Sequence, residues 1–262
     1  MTLVSVLLPV HNGARYLESA VRSILNQTHR DLELIVVDDG STDATPDLLA
    51  SFRDPRLRVE RQLRAGLARA LNRSLGLARG PLIARLDADD LALPERLARQ
   101  RAFLDAHPEV GVLGTGAREV DADGRELRII RPPQDDRVIR RALIRRNPFV
   151  HSSMMMRRAL VEQVGGYDPS FPVAQDYDLW LRLSGVTRMA NLPEPLVVRR
   201  LVPGRVTLER DSARLRAEAR ARWRAARRGV YPLRCAVFAL RPMMVLAVPL
   251  TLRRLLRRGL GR

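Results

Sequence analysis

The chain of 262 residues carries 46 basic side chains, all of them arginine, against 29 acidic ones, with 46% hydrophobic and 4% aromatic residues. Such a length buries a sizeable core and suits one large domain with an appendage, while the single cysteine, Cys235, excludes an internal disulfide framework and no Cys/His spacing suits zinc. The net charge of +17 does not mark a nucleic-acid binder, because residues 199–262 hold 18 arginines and 3 acids while residues 1–198 are nearly balanced, and no stacking platform accompanies the charge.

Val4–Val10 is an apolar run, too short for a secretory signal and without a basic leader, and it reads as a first buried strand. A helix is expected over Ala14–Gln27, where Leu17, Ala20, Val21, Ile24 and Leu25 recur at helical spacing. Leu32–Val37 reads as a strand covered on both faces. It ends at Asp38-Asp39-Gly40, a turn after which Ser41, Thr42 or Asp43 can cap the next helix. A short strand near Leu57–Glu60, a helix across Gly66–Ala78, a strand over Leu82–Leu86 and a helix from Pro94 to about His107 follow. This alternation predicts βαβ units and a mainly parallel sheet.

From Val110 the pattern becomes α+β. Val110–Val120 and Glu126–Ile130 flank Asp121-Ala122-Asp123-Gly124, a hairpin with an Asp-Gly turn. A helix near Asp136–Arg146, a strand over Val150–Arg157, a short helix at Ala159–Val164, a loop at Gly165–Pro169 and a helix over Asp176–Leu183 complete this half. The basic tail begins near Arg199, with a charged helix over Thr207–Arg228 and an apolar stretch, Pro232–Leu256, broken by Arg241, Pro242 and Pro249. A spanning helix needs roughly 20 mostly apolar residues, so two short interfacial helices are expected. The domains predicted are residues 1–200, with halves 1–107 and 108–200, and a basic helical tail, 201–262.

Three acidic clusters carry the chemistry. An open α/β sheet binds ligands beyond the carboxyl ends of its strands, so the turns after Val10, Val37 and Leu86 should share one rim. Asp39 there can accept from the imide N–H of uracil or from ribose hydroxyls. In Asp87-Ala88-Asp89-Asp90, Asp87 and Asp89 can hold Mg²⁺ or Mn²⁺, a hard cation that keeps substrate phosphates in its shell. Asp176 and Asp178 open a later helix. Asp121-Ala122-Asp123 repeats the spelling but sits in a polar turn. No GxxxxGK[ST] and no GxGxxG follows the first strand, which speaks against kinase and dehydrogenase chemistry.

In six stretches the chain resembles the family 2 inverting glycosyltransferases of GT-A fold. They are Val4–Gly13, Ser23–Thr28, Glu33–Asp43, Gly66–Asn72, Leu86–Asp90 and Gln175–Arg182, in that family's order. The resemblance implies a Rossmann-like mixed sheet flanked by helices, a nucleoside-diphosphate sugar donor (UDP-type favoured), a divalent cation, and inversion at the anomeric carbon. It implies that Pro9, His11, Asp38 and Asp39 line the nucleoside pocket, that Asp87 and Asp89 hold metal and diphosphate, and that Asp176 is the catalytic base. Trp180 is expected to wall the base and to stack on an acceptor sugar, while Asp178 and His151 are expected to be structural. His11 stands where the family often has Tyr, and Gln175 where it often has Glu. The acceptor expected is a hydroxyl of a glycan or lipid-linked molecule. The protein is expected to be cytoplasmic and peripheral at the inner face of the cell membrane, its tail on anionic lipid. The competing readings are a non-catalytic nucleotide-sugar or glycan-binding module, tethered to a membrane, and a sugar nucleotidyltransferase.

Overall fold

The computed structural model describes residues 2–201 and 211–247. The beginning of the helix expected from Thr207 and the apolar and basic run after Ala247 lie outside the described residues.

The first half alternates as its sequence predicts. Strands β1 (Val4–Val10), β2 (Leu32–Asp39), β3 (Leu57–Gln62) and β4 (Leu82–Arg85) run parallel, with β1 between β2 and β4. Helices α1 (Ala14–Leu25), α2 (Thr45–Ser51) and α3 (Leu67–Leu77) make the crossovers, and α4 (Arg96–Ala106) follows the two-residue strand β5 (Leu91–Ala92). Because β1 and β2 are buried on both faces, their side chains divide by parity. Val4, Val6 and Leu8, with Leu34 and Val36, join α1 and α4 in one core. Leu7, Ile35 and Val37 join α3 in a second core on the opposite face.

The second half adds β6 (Val110–Val120), β7 (Glu126–Ile130), β8 (Met155–Arg157) and β9 (Arg188–Arg200), with α5 (Asp136–Leu143), α6 (Arg158–Gln163) and α7 (Gln175–Leu183). One mixed sheet results, ordered β3-β2-β1-β4-β8-β6-β9-β5, with β7 paired to β6. The Asp121–Gly124 turn joins β6 to β7 as expected, with Gly124 at φ +86° and the Asp121 carboxylate accepting from the N–H groups of Asp123 and Arg125.

Two expectations fail here. The strand expected over Val150–Arg157 begins only at Met155, after a 3₁₀ turn at His151–Ser153. Arg199, where the tail was expected to begin, instead lies within the long strand β9, which fills the chain over 188–200, where no element was expected. Its prolines, Pro193 and Pro195, lie where the β6–β9 register slips around Gly116, the bulged position at which a strand tolerates proline.

The tail helix α8 (Asp211–Arg227) packs on the body. Its Ala217, Ala221 and Ala225 enter the second core beside Tyr177 and Trp180. A 3₁₀ turn at Leu233–Ala236 leads into α9 (Val237–Ala247), which contains Pro242. No described helix is long and apolar enough to cross a membrane.

Candidate active site

With β1 flanked by β2 and β4 in parallel, the chain leaves the carboxyl ends of three neighbouring strands on one rim, at the point where the strand order reverses. A cleft of about 1280 Å³ opens there. Pro9, His11, Asp39, Asp87, Asp89 and Asp176 all line it. Asp38 and Trp180 do not.

The β1 and β2 turns brace each other. Asn12, at φ +51°, donates its N–H to Ser41 Oγ and accepts from the Thr42 N–H. Gly40 adopts φ +71°, and a Cβ there would stand 2.7 Å from the Arg64 nitrogen, so the close passage of two backbones requires glycine. His11 Nδ1 lies 2.9 Å from the Asp39 carbonyl oxygen. A carbonyl only accepts, so Nδ1 carries the proton and Nε2 is left for other partners.

The two neighbouring aspartates separate by role. Asp38 is 1% exposed; its carboxylate accepts from the Ser41 N–H at 2.9 Å and pairs with Arg61 at 3.4 Å. The expectation that Asp38 lines the nucleoside pocket is therefore corrected: strand parity turns its side chain away from the cleft and into the turn. Asp39 accepts from Gln62 Nε2 and the Ala65 N–H at 2.7 Å and from the Gly66 N–H at 2.8 Å. Burial alone would raise its pKa, but these hydrogen bonds outweigh it and hold the carboxyl below its ordinary range. It is an ionised acceptor at the mouth of α3.

The second cluster follows β4. Oxygens of Asp87, Asp89 and Asp90 lie within 4.8 Å of one another. Asp90 is fully buried and braces the fold: it accepts from the Arg200 N–H at 2.9 Å and lies 2.5 Å from Ser152 Oγ. Asp87 meets the same hydroxyl at 2.7 Å and pairs with Arg85. The partly exposed Asp87 and Asp89 face the cleft with hard oxygen donors, an arrangement that fits Mg²⁺ or Mn²⁺ with coordination positions left for phosphate oxygens.

Arg85 escaped the sequence reading, being absorbed in the apolar run before Asp87. It is fully buried, yet its guanidinium reaches both Asp87 and Ser152 Oγ. Burial disfavours its charge, but the charge of Asp87 and its hydrogen bond more than restore it. The signal was an arginine inside an otherwise apolar parallel strand, where a charge is retained only with a partner.

Asp176 sits in the first turn of α7. Ala174, at φ +57°, turns the chain sharply into that helix, which brings Gln175 and Asp176 to the cleft. Burial pushes the Asp176 carboxyl above its ordinary range, against the opposing Tyr177 N–H, the Arg85 charge and a 2.8 Å hydrogen bond from Asn147 Nδ2. Asn147 was not foreseen; it lies in a loop with no periodic signal. His151 also lines the cleft, 3.1 Å from the Tyr167 hydroxyl. Burial, followed by the Arg85 charge, keeps it neutral with a pKa well below the usual histidine value.

Trp180 is corrected as well. Its indole is 0% exposed and meets Phe149 edge-on at 5.7 Å and His151 at 6.0 Å, so no ring face is open to a sugar. Asp178 is structural as expected, buried and paired with Arg182 at 2.8 Å. Asn72 clamps the Tyr167 backbone through both ends of its amide.

The far wall of the cleft includes Arg214 and Glu218 of α8. That helix is pinned by Arg222, 2% exposed, which donates to the Tyr177 hydroxyl at 2.8 Å, the Arg145 carbonyl at 2.8 Å and Glu218 at 3.0 Å. An arginine-rich tail helix thus becomes part of the site, which its charge pattern gave no means of foreseeing.

The family model described as Glycosyl transferase family 2 matches residues 5–165. EpsE of Bacillus subtilis (strain 168) is 36% identical over 186 residues, 68% of this chain and 66% of EpsE. The amylovoran biosynthesis glycosyltransferase AmsE of Erwinia amylovora is 32% identical over 201 residues, covering 74% of this chain and 75% of AmsE. Among solved structures, S. aureus TarS 1–349 in complex with UDP-GlcNAc superposes with a TM-score of 0.68 at 21% identity, covering 84% of this chain and 66% of TarS 1–349. The mannosyltransferase PcManGT from Pyrobaculum calidifontis, in complex with GDP-Man and Mn²⁺, gives 0.65 at 23%, covering 98% of this chain and 79% of PcManGT. These likenesses show the fold, a mixed α/β sheet of the GT-A type. The chain spans about two thirds of the length of the curated relatives it first matches.

Proposed function

We propose that this chain, which belongs to glycosyl transferase family 2, moves a sugar from a nucleoside diphosphate to a hydroxyl of a glycan or lipid-linked acceptor, with inversion. The reading rests on one observation: Asp39, the pair Asp87 and Asp89, and Asp176, each far from the others in sequence, line a single cleft. Residues 1–107 are taken as the donor half and 108–200 as the acceptor half, with α8 of the 201–262 tail adding a wall to the latter.

Pro9, His11 and Asp39 hold the nucleoside, Asp39 accepting from a base or ribose donor through an ionised carboxylate. Asp87 and Asp89 would hold the divalent cation, Mn²⁺ or Mg²⁺, which when bound supplies positive charge to the departing diphosphate. Asp176 takes the proton of the acceptor hydroxyl as its oxygen bonds to the anomeric carbon and the bond from that carbon to the diphosphate oxygen breaks. The diphosphate leaves with the electron pair, and the proton stays on Asp176 until water removes it. A carboxyl raised by burial is better matched to this task than an ordinary one, and Asn147 fixes its orientation. TarS binds UDP-GlcNAc and PcManGT binds GDP-Man and Mn²⁺, which supports a nucleotide sugar as donor; a UDP-type donor is the one the family resemblance favours, and the Asp39 acceptor is compatible with it. The site of action proposed is the cytoplasmic face of a membrane.

The test is donor turnover with Mn²⁺ or Mg²⁺. Asp176→Asn, nearly isosteric, should lower kcat by about 10² to 10⁴ while leaving donor affinity unchanged. An unchanged turnover rate would remove Asp176 from the mechanism.

A further inference from the structure

We infer that the outer face of α9 and the turn before it is a docking surface for an anionic lipid bilayer. The inference deepens the proposed site of action and is independent of the sugar chemistry.

Leu233, Val237, Leu240 and Met244 are 66%, 57%, 56% and 65% exposed. In a helix the last three fall on one stripe, at positions i, i+3 and i+7, and Leu233 precedes them by one turn. The stripe is held outward by its opposite side. Ala239 and Pro242 are buried, Arg222 donates to the Phe238 carbonyl at 3.1 Å, and the Arg145 guanidinium lies 5.2 Å from the Phe238 ring centre. Tyr231, just upstream, reaches the Arg140 carbonyl at 3.3 Å. This face of α9 is therefore presented by the packing of the other.

Charge selects the occupant. Arg234 and Arg241 lie exposed beside the stripe, and Arg227 and Arg228 are exposed at the end of α8. From Ser212 onward the sequence has 14 arginines and one acid, Glu218. That acid is bonded to Arg214 and Arg222 and belongs to the cleft wall. A second copy laid on this stripe would set arginine against arginine, and so would the chain's own residues 248–262, which carry five arginines and no acid. A nucleic acid supplies negative charge but gains nothing from Leu, Val and Met side chains, which offer no ring to stack on. An anionic bilayer satisfies both features: phosphate headgroups meet the arginines while the stripe enters the acyl boundary.

The test is co-sedimentation of the full chain, without donor, metal or acceptor, with vesicles of phosphatidylcholine alone and of phosphatidylcholine mixed with phosphatidylglycerol. The chain should partition at least about tenfold better to the anionic vesicles, and less at high salt. The variant Leu233→Ser/Val237→Ser/Leu240→Ser/Met244→Ser should lose at least about tenfold in partition while keeping its circular dichroism. Arg234→Gln/Arg241→Gln, which leaves the apolar stripe intact, should lose roughly thirtyfold. Equal binding to neutral vesicles, or undiminished binding by both variants, overturns the assignment. So does a self-associated chain that the serine variant disperses, since a second copy would then be the occupant. Binding that vanishes when only residues 248–262 are removed also defeats it. None of these outcomes touches sugar transfer, which is measured in solution.

Discussion

At the residue scale, the site depends on which carboxylates stay charged. Two adjacent aspartates, Asp38 and Asp39, have nearly the same sequence context, yet strand parity sends one into a turn and the other to the cleft. Asp176 is governed by an opposition between burial, which raises its pKa, and donors that lower it, among them Asn147. Removing that donor has a definite sign. In the proposed role Asp176 works when deprotonated, so activity should fall as pH drops through its pKa. Asn147→Ala should move this acid limb to higher pH and reduce kcat at neutral pH by about tenfold, as expected for losing one hydrogen bond to a charged group. A pH–rate profile checks it; an unmoved limb means that Asn147 does not set the state of Asp176. Trp180 teaches the converse. Its neighbour relation to the base was legible, but whether the indole faced solvent or core depended on Phe149 and His151, which lie about thirty residues away.

At the element scale, the strands that were plain in the sequence are those whose burial is complete on both faces. β1, β2 and β4 read as mainly apolar runs, interrupted only by paired polar groups such as Glu33 and Arg85, because helices cover them on both faces. β9 was hidden because its prolines and its terminal arginines imitate a linker, whereas its pairing with β6 is long-range and bulged. Helix α8 was legible as a charged helix, but its docking on the body was hidden. Its alanine stripe is too small to register against so many arginines, and its partners, Tyr177, Asp168 and Asp178, come from the α7 region.

The attachment of α8 has a pH signature. Asp168 pairs with Arg224 at 2.6 Å. Burial would raise its pKa, but the hydrogen bond from Arg224, with those from Ser170, brings it down to about 2 from 3.8. A depressed carboxyl stabilises the fold above its unfolded value, and that contribution is lost as pH falls from about 4 to about 2. Arg224→Met should therefore cost about 1–2 kcal/mol at neutral pH, with the gap from the parent closing by about pH 2. Urea denaturation of both chains across acid pH measures the gap; a difference that does not narrow would assign the loss to packing instead of the ion pair.

At the scale of the whole molecule, the chain builds one sheet with two cores and gathers at its rim groups that the sequence scatters from Pro9 to Glu218. The half up to residue 107 was readable because its turns follow parallel strands in sequence order. In the second half the hairpin and the Asp176 helix were readable, but the wall of the cleft was not, because it is assembled from a 3₁₀ turn, a left-handed residue at Ala174 and a helix from the tail. The proposed function requires one cleft to serve a metal-bound sugar nucleotide. Calorimetry of the full chain against UDP and GDP sugars, with Mn²⁺ and then with chelator, addresses this directly. Metal-dependent binding of one donor, abolished in a folded Asp87→Asn/Asp89→Asn chain, is the predicted result. Equally tight binding with the metal chelated, or binding untouched by the double substitution, would contradict it.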